Sequence, residues 1–172
     1  MQYLKEIYED NTNWLNFAEL KNGALLAISG VFLQIIIDSI DSFGLRWLLV
    51  FLCVIIILLT GLSFIPFLNS NKSIKWLAKE FYDRKYTNSL NSGNIFFYVN
   101  VFLSSEDEYT EAVKSITNKK DDLNEIEKNY IKQIMAISTI ASIKYFIFTI
   151  SMCLFLINVF IFIIFFLLAN NC

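Results

Sequence analysis

Residues Trp47–Leu68 read WLLVFLCVIIILLTGLSFIPFL, and residues Tyr145–Ala169 read YFIFTISMCLFLINVFIFIIFFLLA. Neither stretch contains a charged side chain. Each exceeds the ~20 apolar residues that a helix needs to cross the ~30 Å hydrocarbon core of a bilayer. The two stretches therefore predict transmembrane helices and place the chain among all-α integral membrane proteins.

A shorter apolar stretch upstream predicts the first of three spans. Gly23–Ile37 reads GALLAISGVFLQIII, which is too short alone. Extension back to Phe17 reaches spanning length and includes Glu19 and Lys21, whose charges then lie near the lipid headgroups, where long side chains snorkel. The distance from Met1 and the lack of a small-residue cleavage site argue against a signal peptide.

Basic residues are distributed unevenly among the segments that connect the spans. Residues 69–144 hold 11 of the 14 Lys and Arg, whereas the loop 38–46 holds one and the tail 170–172 none. Because cytoplasmic loops of membrane proteins are enriched in Lys and Arg, residues 69–144 are expected in the cytoplasm. The amino terminus then also faces the cytoplasm, and the carboxyl terminus faces outside.

The composition excludes several classes of protein. The net charge of −2 gives no overall basic field for binding duplex nucleic acid. The chain has no histidine, which excludes Ser-His-Asp and Cys-His triads and histidine-ligated metal sites. Its three cysteines, Cys53, Cys153 and Cys172, lack CxxC spacing. We therefore predict no catalytic residue, no metal ligand and no enzymatic activity.

The sequence divides into four parts. Residues 1–20 predict an amphipathic helix, residues 21–68 the first two spans, residues 69–144 a small helical cytoplasmic region, and residues 145–172 the third span with a short tail. The apolar stripe of the first helix consists of Leu4, Ile7, Tyr8, Trp14, Leu15 and Ala18. This stripe and a second one predicted at residues 121–144 need partners to bury against. We therefore predict a homo-oligomer.

Within the cytoplasmic region, Ile74–Tyr86 predicts a helix that buries Trp76, Leu77 and Phe81. Residues 88–94 read NSLNSGN and predict a loop. The aromatic run at residues 95–103 fits no single element type. Ser105 and Glu108 form a capping-box pattern that predicts a helix over residues 105–116.

The last helix is predicted to be unusually long. Asp121 and Asp122 favour a helix start, and no residue from there to Ala169 breaks a helix. If continuous, it is ~70 Å long at 1.5 Å per residue and extends from the bilayer into the cytoplasm. Such a helix either transmits movement from a cytoplasmic site or is a plain coiled-coil stalk. Its predicted stripe steps through Leu123, Ile126, Tyr130, Gln133, Ile137, Ile140 and Lys144.

Three ordered stretches resemble the Pycsar-type transmembrane effectors of bacterial anti-phage defence. The stretch 13–30 resembles the family's Phe-Ala-Asp-Thr-Lys-Ala start of the first span: Phe17, Ala18 and Lys21 match, Glu19 replaces the acid, and Leu20 and Asn22 depart. The stretch 94–109 is similar to the family's aromatic pair after the middle loop. The stretch 130–145 resembles its Gln-Ile, Ser, Ile-Ala-x-x-Lys-Tyr pattern through Gln133, Ser138, Ile140, Ala141, Lys144 and Tyr145.

The resemblance implies an oligomeric effector of the bacterial inner membrane that depolarises or permeabilises it during infection. A nucleotidyltransferase or cyclase would supply a regulatory nucleotide, and no other cofactor is implied. In Pycsar the signal is a cyclic pyrimidine mononucleotide that activates. The similar Hailong effector is an ion channel that a DNA oligomer holds shut. The alternative is an accessory protein, holin-like or immunity-like, without nucleotide control.

Five residues on the last helix are candidates for ligand binding. Lys128 and Lys132 are one turn apart and share a face that suits phosphate. Gln133 and Ser138 lie on or beside the predicted stripe, where they either bind a ligand or hydrogen-bond between subunits. Lys144 precedes the third span and either contacts phosphate, lines a pore mouth or only follows the positive-inside bias.

Four residues are candidates for gating within or beside the spans. Glu19 and Lys21 lie where the first span begins and act either in gating or as headgroup anchors. Gln34 and Asn158 are amides within apolar stretches. Because a buried amide seeks a polar partner, each either packs against another helix or lines a pore.

Overall fold

The computed structural model describes residues 2–40, 42–65, 72–86, 96–117 and 123–170, which form α-helices and no strand. The helices are α1 (Gln2–Ser39), α2 (Phe43–Leu62), α3 (Lys72–Tyr86), α4 (Tyr98–Leu103), α5 (Glu106–Ile116) and α6 (Glu125–Asn170). Helices α1, α2 and α6 are long and apolar enough to cross a membrane. The predicted all-α class with three spans is confirmed. Pro66, the loop at 88–94 and the acids at 121 and 122 lie outside the described residues.

The described helices belong to two compact units. The head unit comprises Met1–Ala18 and Pro66–Phe146, and the membrane unit comprises Glu19–Ile65 and Ile147–Cys172. Helix α1 is continuous over 38 residues and helix α6 over 46 residues. Each of these two helices therefore contributes residues to both units without interruption of its backbone hydrogen bonds.

The head unit has an apolar core built from α1, α4, α5 and α6. Its buried members are Leu4, Ile7, Val101, Tyr109, Val113, Leu123, Ile131 and Ile134. Helix α5 begins as predicted, because the Ser105 hydroxyl accepts from the Glu108 N–H and the Glu108 carboxylate accepts from the Ser105 N–H. The same reciprocal pairing joins Asn124 and Glu127 at the start of α6, at 2.8 and 3.1 Å.

Helix α3 forms where the sequence predicts it but buries different residues. Ala78 is fully buried and Tyr82 nearly so, whereas Trp76 is 64% exposed and Leu77 49% exposed. The predicted burial of Trp76 and Leu77 was wrong. The reason is that Tyr82 fixes the rotation of α3: its hydroxyl donates to the backbone carbonyl of Ser142 at 3.0 Å. Phe81, also predicted to be buried, is partly buried, with its ring centroid 5.3 Å from that of Phe146.

The buried face of α6 in the head unit differs from the predicted stripe. Ile126 and Gln133 are exposed. The buried face begins with Leu123, Glu127, Ile131 and Ile134 and continues to Ser138 and Thr139 and to residues 141–145, which include Lys144 of the predicted stripe. The predicted stripe stepped by three after Leu123, whereas the protein steps by four. The step of four places Glu127 where its carboxylate accepts from the Asn124 N–H, so capping sets the rotation of the helix.

The membrane unit has a second apolar core, in which aromatic rings of α6 pack on α1. The Phe32 ring centroid lies 5.5 Å from that of Phe155 and 5.4 Å from that of Phe162, both in edge geometry. Ile36, Ile40, Leu49 and Cys53 complete the buried set. Such edge-on pairs add about 0.5–1.5 kcal/mol each beyond the buried area.

Candidate functional site

An aromatic cluster of four rings, Trp14, Phe97, Tyr98 and Tyr145, lies in the head unit where α1, α4 and α6 meet. Tyr98 stacks on Tyr145 with ring centroids 5.1 Å apart and 24° between the planes. The indole of Trp14 lies 5.4 Å from Tyr98 and 6.4 Å from Tyr145. Trp14 is 39% exposed, whereas both tyrosines are buried. The cluster therefore has one face open at the indole.

A buried polar pair ties α1 to α6 beside this cluster. The Ser138 hydroxyl donates to Asn11 Oδ1 at 2.6 Å, and Asn11 Nδ2 donates to the Ile7 carbonyl at 2.9 Å. Both side chains are fully buried. Asn11 precedes Trp14 by about one helical turn, and Ser138 precedes Tyr145 by about two. The pair thus satisfies both buried polar groups and fixes the register of the two helices.

The five candidate ligand-binding residues fall on different sides of α6. Lys128, Lys132 and Gln133 are exposed, whereas Ser138 and Lys144 are buried. The Lys132 Nζ lies 4.0 Å from Glu106 Oε1 on α5, with both side chains mostly exposed. At 100° per residue, Gln133 lies about 100° around the helix from Lys132. The five residues therefore do not converge on one site within a single chain.

Glu19 and Lys21 are both partly buried in the membrane unit. The Lys21 Nζ lies 5.6 Å from the centroid of the Phe148 ring on α6. A cation over an aromatic face at this distance is attracted by the ring quadrupole. Lys21 therefore lies against a second spanning helix, α6.

The two amides of the spans differ in what they contact. Gln34 is exposed, and its Nε2 donates to both carboxylate oxygens of Asp38, one turn later, at 3.0 and 2.9 Å. Asn158 is fully buried, and its Nδ2 donates to the Leu49 carbonyl at 3.2 Å and to Cys53 Sγ at 3.1 Å. Asn158 therefore joins α6 to α2, while among the described residues Gln34 bonds within its own helix.

Some buried polar atoms of the membrane unit have no hydrogen-bond partner among the described residues. They include the hydroxyls of Ser29 and Ser151 and the Oδ1 atom of Asn158. Each residue is fully buried in the chain. An unsatisfied polar group in an apolar surrounding costs free energy. A hydrogen bond from water or from a rearranged helix would therefore stabilise the protein at these positions.

A family description, the Pycsar effector protein domain, matches residues 3–169. The chain belongs to this family. The match covers all three stretches on which the sequence resemblance rests and confirms it. The effector is thus a membrane protein of anti-phage defence that acts with a cyclase system. No curated protein and no solved structure matches the chain.

The structure of the effector unites parts of the three family-like stretches. Trp14 comes from the first, Phe97 and Tyr98 from the second, and Tyr145 from the third. These stretches were recognisable in the sequence. That Asn11 and Trp14 lie in one site with Ser138 was not predicted. A signal existed for Asn11, because it continues the buried spacing of Leu4 and Ile7 on α1.

Tyr109 is a buried titratable side chain of the head-unit core. Burial raises the pKa of Tyr109, and the neighbouring Tyr3 raises it further. The Tyr109 hydroxyl has no hydrogen-bond partner in the described part of the effector. The described residues also hold no group of three or more Cys, Asp or Glu side chains suited to a metal ion.

Proposed function

We propose that this effector is the subunit of an oligomeric ion channel or pore of the bacterial inner membrane, controlled by a nucleotide that binds the head unit. One observation carries the proposal: α1 and α6 run unbroken through both units. A ligand on the head unit therefore contacts the same helices that span the membrane. A ligand changes an equilibrium only through such state-dependent contacts. The effector acts without catalysis.

Lys128 and Lys132 are the proposed phosphate contacts. Both are exposed and lie on one side of α6. The Lys132–Glu106 contact at 4.0 Å between exposed groups contributes at most about 1 kcal/mol, so a phosphate can displace it. Gln133, on another side of the helix, would meet a ligand held by the neighbouring subunit. Ser138 and Lys144, being buried, would respond to a change in the packing of α6.

Calorimetry on the detergent-solubilised effector tests these contacts, with cyclic pyrimidine mononucleotides and short single-stranded DNA as probes. Lys128→Ala and Lys132→Ala are expected to weaken binding about tenfold each, since a charge-assisted hydrogen bond contributes about 1.5 kcal/mol or more. Lys5→Ala is the matched control, because Lys5 is also exposed and lies on α1, where its Nζ is 3.7 Å from Glu9 Oε1. If every variant binds the nucleotide as tightly as the parent does, the lysines are not the binding site. The aromatic cluster is then the next candidate, and Trp14→Ala tests it.

Growth and membrane potential of cells test the effector function as a whole. If the nucleotide opens the protein, expression alone is harmless and co-expression with the nucleotide-producing enzyme depolarises the cell. If the nucleotide holds the protein shut, expression alone depolarises the cell and co-expression with the enzyme is harmless. No toxicity in either condition, with the protein confirmed in the membrane, would contradict the proposal and favour an accessory, holin-like or immunity-like protein.

The proposed orientation places the amino terminus and residues 69–144 in the cytoplasm. Its support is the concentration of Lys and Arg in that segment. Reporter fusions test it: a reporter active only in the cytoplasm is expected to work at the amino terminus, and one active only outside is expected to work at the carboxyl terminus. The reverse pattern would contradict this topology.

A further inference from the structure

Helix α3 presents an apolar surface that points away from the head-unit core. At 100° per residue, Trp76 lies about 160° around the helix from the fully buried Ala78. Its neighbour Leu77 is also exposed. Tyr82 holds this rotation through the hydrogen bond to the Ser142 carbonyl. The outward face is therefore a fixed feature of the packing and not a result of a loosely attached helix.

The same helix carries a concentrated positive charge. Five of its residues are basic (Lys72, Lys75, Lys79, Arg84 and Lys85) and two are acidic (Glu80 and Asp83), which gives a net charge of +3 in a chain whose total is −2. Lys75, next to Trp76 in sequence, and Lys79, about one helical turn after Trp76, are both exposed. A basic helix with an outward tryptophan is typical of segments that lie in the headgroup layer of a membrane.

The covalent chain keeps α3 close to a bilayer. Helix α2 is a membrane span, and the seven peptide steps from Ile65 to Lys72 reach at most about 25 Å. A soluble partner or a second copy is less suited to this face. Self-association through it would oppose two helices of charge +3, whereas a leaflet rich in anionic lipid complements that charge.

We propose that the face of α3 around Trp76 and Leu77 binds the anionic headgroup surface of the cytoplasmic leaflet. The indole and the leucine enter the interface, and Lys75 and Lys79 contact lipid phosphates. The inference rests on the proposed cytoplasmic location of residues 69–144 but on no property of the nucleotide or the pore. It makes lipid composition a second input to the position of the head unit, through the hydrogen bond between Tyr82 and α6.

Tryptophan fluorescence of the full chain in vesicles tests the proposal. Because Trp76 is exposed, Trp76→Phe keeps the fold, and subtraction of its spectrum from that of the parent isolates the Trp76 signal while Trp14 and Trp47 remain in place. Vesicles are made from phosphatidylcholine alone or enriched in phosphatidylglycerol, with acyl chains brominated near the headgroup. We expect bromine to remove most Trp76 emission in the anionic vesicles, and added salt to restore part of it.

The double variant Lys75→Gln/Lys79→Gln is expected to lower the equilibrium constant for binding of the α3 face to the membrane surface about thirtyfold, at about 1 kcal/mol per lysine. The control Lys5→Gln removes an exposed lysine of α1 in the head unit and is expected to leave quenching unchanged. Trp76 emission quenched by aqueous acrylamide in both vesicle types would overturn the proposal. Bromine quenching that does not depend on phosphatidylglycerol or salt would also overturn it. Protection of Trp76 from both quenchers would overturn it as well and would indicate a protein interface. None of these results depends on channel activity, so the proposed function would stand.

Discussion

The hydroxyl of Ser138 is the donor for a buried amide oxygen, and this contact is a direct hydrogen bond between the two helices that enter the membrane unit. The 2.6 Å bond to Asn11 Oδ1 has no solvent to replace it, because both side chains are fully buried. Removal of the donor leaves the acceptor desolvated and unpaired, which is more costly than loss of an exposed bond.

Ser138→Ala is therefore expected to lower the free energy of unfolding of the head unit by about 1–3 kcal/mol. Thr139→Ala is the matched control, because the Thr139 hydroxyl bonds to the Met135 carbonyl of its own helix at 2.8 Å and is expected to change stability little. Thermal unfolding in detergent, followed by circular dichroism, measures both. Equal stability of the two variants would show that the Asn11–Ser138 bond does not join the helices energetically.

Asn158 has the corresponding role between α6 and α2. Its Nδ2 reaches the Leu49 carbonyl and Cys53 Sγ, so Asn158→Leu removes two interhelical contacts. Hydrogen bonds between membrane helices contribute about 0.6 kcal/mol on average and up to about 1.7 kcal/mol, and a loss in this range is expected. Gln34→Leu removes an amide that bonds only within α1 and is expected to be neutral. Unfolding in mixed micelles compares them, and a larger loss for Gln34→Leu would contradict the assignment.

At the scale of the element, α5 depends on its capping box. The Ser105 N–H and hydroxyl hold the pKa of Glu108 below its ordinary value of about 4.5. Because the folded pKa is lowered, this stabilisation is present above the ordinary value and is lost as pH falls through the folded pKa. The helix is therefore expected to weaken only in acid.

We expect the amides of α5 to exchange hydrogen faster below about pH 4.5 than at neutral pH, after correction for the intrinsic rate. Glu108→Gln is expected to remove most of this pH dependence, and Ser105→Ala to destabilise the helix start by about 1 kcal/mol at neutral pH. Glu111→Gln is the control, an acid on the same helix outside the capping box. The same pH dependence in parent and Glu108→Gln would contradict the role of the cap.

Helix α6 is the element on which control of the membrane unit depends in this account. Ile147→Pro removes a backbone donor and adds a clash in the helix interior, at about 3 kcal/mol or more. It is expected to preserve nucleotide binding and to abolish the effect of nucleotide on ion flux. Ile126→Pro is the control, because proline is tolerated in the first turn of a helix. Nucleotide-dependent flux in Ile147→Pro would show that continuity of α6 is not required.

At the scale of the whole molecule, the spans were predictable because a long uncharged run has one physical use. The rotation of individual helices was not. Trp76 and Leu77 are apolar and were expected to be buried, but the hydrogen bond of Tyr82 turned α3 the other way. The sequence also indicated that the Ser138 hydroxyl makes a hydrogen bond. It did not reveal Asn11 as the partner, because the two residues are 127 positions apart.

Ion flux from liposomes that contain only the purified effector is the decisive test of nucleotide control. We expect a conductance that changes, in either direction, when the product of the nucleotide-producing enzyme is added, and that no longer responds after Lys128→Ala/Lys132→Ala. Lys5→Ala should respond as the parent does. Liposomes that remain tight with and without the nucleotide, although the protein is inserted and oligomeric, would contradict the account.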